Sequence, residues 1–221
     1  MPSTPKVKIC GLRSVEDVKI CLEAGADYIG LNFVPSSPRL ISVSQADSIL
    51  NYLHSVIPEF QRPKIVLLFY KNSSYFIEYA LKRIPHDFVQ YVSDDSLAPG
   101  FTSPLYQSPN SRIISYRVRD SITDDSLSFL DSKLLILDSY TSSAGGGTGE
   151  PFPWERVSKV KRPYLLAGGL TPENVSNALV QTGAFGVDVA SGVESSPGVK
   201  DPELIRKFIS NAKRTISHNG N

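Results

Sequence analysis

The stretch Leu135-Ile-Leu-Asp-Ser-Tyr-Thr-Ser-Ser-Ala-Gly-Gly-Gly-Thr-Gly-Glu150 runs an apolar segment straight into a carboxylate, Asp138, and then into a loop of small residues with three consecutive glycines. Burying a charge is costly unless it has a partner or a task. Glycines let the following loop move, or let its backbone amides approach a ligand closely. The pattern reads as a strand that stops at the mouth of a barrel, with Asp138 a working acid under a flexible cover. The bland alternative is an acid that caps a loop or pairs with an arginine.

Outward from that stretch, short apolar runs recur along the chain. They fall at residues 7–12, 28–33, 64–70, 88–92, 112–118, 133–138, 164–169 and 185–190. Parallel strands buried on both faces read this way. Helical patterns lie between most of them. Ser14 with Asp17 forms a capping box for the first, and Gly25 ends it. Ser44 opens the second. The third runs from about Ser74 to Pro85, which stops it. Asp124 to Leu130 gives a short helix, and Pro153 starts another ahead of Val157. Thr171-Pro172 begins the next, which Gly183 closes, and Asp201-Pro202 opens the last. Residues 93–111 carry prolines at 99, 104 and 109 and little helical pattern, so the helix after strand 4 is weak or missing. Alternating strands and helices mean α/β. Eight units favour a closed, single-domain (β/α)8 TIM barrel over residues 1–214, with 215–221 a frayed tail.

Composition narrows the function classes. Of 221 residues, 41% are hydrophobic and 20% charged, an ordinary globular balance. A net charge of +1 gives no basic field for nucleic acid, so any phosphate recognition must be local. Cys10 and Cys21 are too few for a disulfide framework, and no Cys/His cluster suggests a metal. No apolar run approaches the roughly 20 residues of a membrane span. The N-terminus goes straight into a strand without a signal-peptide core, so the expected location is cytoplasmic. A monomer and a homodimer both fit.

Active sites of such barrels lie at the C-terminal ends of the strands. Those ends carry Cys10, a loop leading to Arg39, Asp138, Gly168-Gly169, and Asp188 with Ser191-Gly192. The last two groups suit phosphate, held by backbone amides after strands 7 and 8; alternatively the glycines only make turns. Cys10 lies near the rim because Gly11 follows it, and a thiolate there can take a carbon-bound proton. An inert core cysteine is the other reading, and Cys21, mid-helix, receives it. An acid and a base on opposite sides of one mouth suit an enolisation. Arg39 can clamp a carboxylate bidentately, or be a solvated surface arginine.

Lys8-Ile-Cys-Gly-Leu-Arg13, Phe33-Val-Pro-Ser-Ser-Pro-Arg39, Leu137-Asp-Ser with Gly146-Gly-Thr-Gly149, Leu166-Ala-Gly-Gly-Leu-Thr-Pro-Glu-Asn-Val175 and Gly186-Val-Asp-Val-Ala-Ser-Gly-Val-Glu194 together resemble the phosphoribosylanthranilate isomerase family of tryptophan biosynthesis. The resemblance spans the first strand to the last helix. It implies an Amadori rearrangement of N-(5-phosphoribosyl)anthranilate, a small phosphorylated substrate, without metal or organic cofactor. It also implies roles. Asp138 matches the general acid that protonates the ribose ring oxygen, and Cys10 the base that takes the C2′ proton. Arg39 matches the arginine on the anthranilate carboxylate. Gly169, Ser191 and Gly192 match the phosphate loops, and Asp188 a residue near the sugar. The chain departs from the family's pattern at strand 4, where Val92 stands at a usual histidine, and at strand 5, where Ser115 stands at a usual lysine. Phe152-Pro-Trp154 replaces the usual Phe-Asp-Trp. Two rival expectations remain: an isomerase of a related ribose phosphate, and a non-catalytic phosphate-binding barrel.

Overall fold

Side chains alternate between the two faces of a strand. On the first strand Val7 and Ile9 pack outward among helix residues such as Val18 and Cys21, while Lys8 and Cys10 share the opposite face. A computed structural model, which describes residues 4–93, 111–139 and 153–215, repeats that alternation around eight parallel strands. They are β1 (Lys6–Cys10), β2 (Tyr28–Asn32), β3 (Lys64–Phe69), β4 (Phe88–Ser93), β5 (Arg112–Val118), β6 (Leu134–Ser139), β7 (Tyr164–Leu166) and β8 (Gly186–Val189). Each pairs with its neighbour in chain order, and β8 pairs with β1, so the sheet closes into a barrel.

Two apolar regions follow from this. Outside the ring, strand residues such as Ile29, Leu31, Leu135 and Leu137 meet Ile49, Leu53, Ile205 and Phe208 of the helices. Inside, Val66, Ile113, Leu134, Ile136, Leu165 and Ala167 fill the part away from the mouth. Nearer the mouth, Cys10, Val34 and Leu68 cluster with Tyr70, Val92 and Ala190.

The helices are α1 (Val15–Ala24), α2 (Val43–Val56), α3 (Ser74–Arg83), α4 (Val175–Thr182) and α5 (Pro202–Arg214). The Ser14–Asp17 capping box and the left-handed Gly25 (φ 84°) stand as the sequence predicts. Other boundaries shift for physical reasons. Ser42, with Gln45, caps α2, so it starts before Ser44. Strand β7 ends at Leu166, because Gly168 and Gly169 turn left-handed (φ 89° and 65°). Asn174, not Thr171, is the cap position of α4, and its Oδ1 accepts the Thr171 amide at 2.8 Å. The expected helices at Asp124–Leu130 and after Pro153 are single 3₁₀ turns, Asp125–Leu127 and Trp154–Val157, neither capped by a side chain. Few residues separate each from the next strand, too few for the turns an α-helix needs to become favourable. The expected weak helix after β4 and the glycine-rich loop after β6 lie outside the described residues, as does most of the expected tail.

One element went unread in the sequence. After a 3₁₀ turn at Ser191–Val193, a two-stranded antiparallel hairpin, β9 (Glu194–Ser196) and β10 (Val199–Lys200), precedes α5. Gly198, at φ 81°, makes its turn.

Candidate active site

Cys10 is the last residue of β1 and is 5% exposed. Gly11 beside it has φ 78°, and a Cβ there would meet Arg39 Cδ at 2.6 Å, so the Arg39 stem lies across the end of β1. The loop that brings Arg39 there is tied down from within. Asn32 Oδ1 accepts the Val34 amide at 2.8 Å, Asn32 Nδ2 donates to Ser37 Oγ at 3.1 Å, and Ser37 Oγ accepts the Arg39 amide at 3.1 Å.

Arg39 is not a loose surface arginine. Its Nε and Nη2 donate to the two carboxylate oxygens of Glu194 at 2.7 and 2.8 Å. Glu194 is 3% exposed and also accepts from Lys200 Nζ at 2.8 Å and the Gly198 amide at 3.1 Å. Burial alone would raise the Glu194 carboxyl. The hydrogen bonds from Arg39 and Lys200, with the Lys200 charge, overcome this and hold it below the ordinary glutamate value. A guanidinium has five donors in a fixed fork. Glu194 engages its Nε and Nη2, and the Nη1 donors remain for a second anion.

Asp138 occupies the inner face of β6 by alternation, two residues beyond the interior Ile136. It is partly exposed and opposes Arg117 in the register with β5. Around the ring it stands three strands from Cys10, by way of β7 and β8. Asp188 faces inward on β8, and its Oδ1 accepts Lys8 Nζ at 2.8 Å. The two candidate phosphate loops touch. A Cβ on Gly192 would stand 1.8 Å from Leu170 O, so the segment after β8 lies directly on the backbone after β7. Asn174 Nδ2 ties the first loop by donating to Gly169 O at 2.9 Å. Gly169 and Ser191 are exposed, with Gly168 and Gly192 half-buried beside them.

On the β3–β4 side the lining is apolar: Val34, Leu68 and Val92, with Tyr70. Val92 opposes the buried Ser115 on β5. These are the two positions at which the sequence departs from the resemblance, and neither carries a charge; the cations nearest that wall are Arg117 and Lys71, over the Tyr70 ring at 5.8 and 5.1 Å. One level deeper, Gln90 Oε1 is buried with no hydrogen-bond partner among the described residues. Among the described residues, no group of three or more His, Cys, Asp and Glu could hold a metal, and no helix is long and apolar enough to cross a membrane.

The model of the family described as N-(5′-phosphoribosyl)anthranilate (PRA) isomerase matches residues 7–211. The chain belongs to this family. The N-(5′-phosphoribosyl)anthranilate isomerase of Leptospira interrogans serovar copenhageni is 54% identical over 210 residues, covering 95% of each chain. The phosphoribosyl anthranilate isomerase structure from Thermotoga maritima is 30% identical, covers 95% of this chain and 98% of that one, and superposes with a TM-score of 0.74. A further isomerase structure, 28% identical with a TM-score of 0.68 over 95% of this chain and 98% of that one, holds reduced 1-(o-carboxyphenylamino)-1-deoxyribulose 5-phosphate.

Three residues that the structure brings to the candidate site were missed in the sequence: Lys8, Glu194 and Lys200. Lys8 is fully buried. A lysine in a strand normally reads as solvent-facing. The available signal was parity, because Lys8 must share the inward face with Cys10 two residues on. Glu194 and Lys200 sit on the unread hairpin, and nothing in their spacing marks them.

Proposed function

We infer that this family member catalyses the isomerisation of N-(5′-phosphoribosyl)anthranilate to 1-(2-carboxyphenylamino)-1-deoxyribulose 5-phosphate. The observation that carries the reading is the set of inward positions at one mouth: Cys10 on β1, Asp138 on β6 and Asp188 on β8, with the Arg39 stem beside them. The phosphate sits on the amides of Gly168, Gly169, Ser191 and Gly192. Arg39 takes the anthranilate carboxylate on the end of its fork that Glu194 leaves free, and the ring lies against Val34, Leu68 and Val92. Asp188 contacts the sugar.

Asp138, protonated, gives its proton to the ribose ring oxygen. The C1′–O bond breaks as the anilino nitrogen's lone pair forms a C1′=N iminium. The Cys10 thiolate then removes the C2′ proton, and the C2′–H electrons flow to nitrogen to give an enolamine. Tautomerisation to the ketone completes the product. Substrate and product have the same atoms; Cys10 ends protonated and Asp138 ionised, and exchange with water resets both. General acid–base groups typically contribute about 10²–10⁴-fold.

The test uses substrate made in situ from anthranilate and phosphoribosyl pyrophosphate, whose fluorescence follows conversion. Purified protein should consume it, and no conversion sinks the reading. Cys10→Ala and Asp138→Asn should each lower kcat by about 10²–10⁴ with an unchanged circular dichroism spectrum. Near-normal turnover in either variant removes that residue's role and leaves the other's intact.

A further inference from the structure

Buried charge in this barrel is concentrated against Cys10. Lys8 is 0% exposed on the inward face of β1, and its register partner on β8 is Asp188, which accepts its ammonium at 2.8 Å. A buried ion pair is weak evidence for stability, because desolvation offsets much of the attraction. The proposed mechanism gives Asp188 a contact with the sugar but leaves Lys8 without a task.

Position supplies one. Gly30 on β2 is the register partner of Cys10. A methyl group placed on Gly30 would stand 2.9 Å from Cys10 Sγ and 3.2 Å from Lys8 Nζ. Sulfur and ammonium therefore flank one small gap that glycine leaves unfilled. We propose that Lys8 is a positioning residue for the base: anchored by Asp188, its ammonium is set against Cys10 and favours the thiolate that takes the C2′ proton. This rests on the reading of Cys10 as that base.

The surrounding charges favour it. Lys8 reaches the sulfur from its own strand, Asp188 from β8 and Lys200 from β10, and Arg39 crosses Gly11 beside it. β2 offers only Gly30 and Asn32, and Asp138 stands across the mouth. The three cations Lys8, Lys200 and Arg39 are answered by two carboxylates, Asp188 and Glu194. Burial, with the Asp188 charge, leaves the thiol's pKa above its ordinary value, and Lys8 is the largest of the influences that oppose it, ahead of Lys200.

A purely structural Lys8–Asp188 pair makes a different prediction from a charge aimed at sulfur. The experiment measures the rate of Cys10 alkylation by iodoacetamide from about pH 6 to about pH 11, read at the Cys10 peptide by mass spectrometry. Lys8→Met should move the midpoint up by about one pH unit or more, a tenfold loss of thiolate at a fixed pH. The acid limb of kcat/KM should move with it. Asp188→Asn, which leaves the ammonium unopposed, should move the midpoint down. Opposite shifts support the proposal; unmoved midpoints, or shifts in the same direction, overturn it. If Lys8→Met does not fold, Asp188→Asn decides alone, and an unmoved or raised midpoint overturns the proposal. Near-normal turnover in Cys10→Ala would instead remove the reading of Cys10 as base, whatever the alkylation midpoints do.

Discussion

At Gly30 the absence of a side chain is itself a feature of the site. Its φ is ordinary, so conformational freedom is not the reason for glycine. Space is: an added methyl would lie 2.9 Å from Cys10 Sγ, 3.0 Å from Cys10 Cα and 3.2 Å from Lys8 Nζ. The Cα belongs to a paired strand and cannot step aside as a flexible side chain can. Gly30→Ala should therefore cost about 1–3 kcal/mol, the usual range for overpacking. It should also lower kcat more than it raises KM, since it displaces Cys10 and Lys8, the base and ammonium of the proposed mechanism, rather than the groups assigned to substrate binding. Urea denaturation and steady-state kinetics check this; a stable variant with wild-type kcat would mean that the sulfur tolerates displacement. The placement of Cys10 and Asp138 at the mouth was legible because their residue types are conspicuous at strand ends. Lys8 was not, because its burial depends on a partner 180 residues away. Arg39 was only half legible: its fork was readable, its grip on Glu194 was not.

At the scale of elements, the strands were the most readable part, because burial on both faces leaves long apolar runs. Two helices were overread, because the segments after β5 and β6 carry starting residues without the length to continue. Loop aspartates show how the other end of the barrel is held. Asp27, just before β2, accepts Lys6 Nζ at 2.9 Å and the Val7 amide at 3.0 Å, and pairs with Lys213 of α5 at 3.0 Å. It thus ties β1, β2 and the last helix at the face opposite the mouth. Asp87 repeats the motif before β4, accepting Lys64 Nζ and the Ile65 amide, both at 2.8 Å. Contacts at this face serve the scaffold, not the chemistry. Asp27→Ala should cost about 2 kcal/mol, the scale of a hydrogen bond to a charged group. It should lower Tm while kcat/KM at a temperature well below Tm stays within about twofold. A large loss of kcat with unchanged Tm would place Asp27 in the catalytic machinery instead.

For the whole molecule, a formal net charge of +1 means that general repulsion contributes little near neutrality. The response of stability to acid is therefore set by particular carboxylates that fold into partnerships. Glu194 is the most deeply placed of those holding two cations, linking the β2–α2 loop through Arg39 to the hairpin through Lys200. Its carboxyl is held below the ordinary value in the folded chain, whereas the unfolded chain titrates near the ordinary ~4.3. The unfolded state then binds the proton first as pH falls, so acid favours unfolding. The contribution is complete above about pH 4.3 and drains away as pH falls through the lower folded value. Glu194→Gln removes the charge while keeping the shape. The variant should be less stable than wild type by about 2 kcal/mol near neutrality. Urea denaturation at a series of pH values should show that gap narrowing progressively below about pH 4.3. A gap that stays constant into acid would mean that shape, and not the charge of Glu194, holds Arg39 and Lys200 at the mouth.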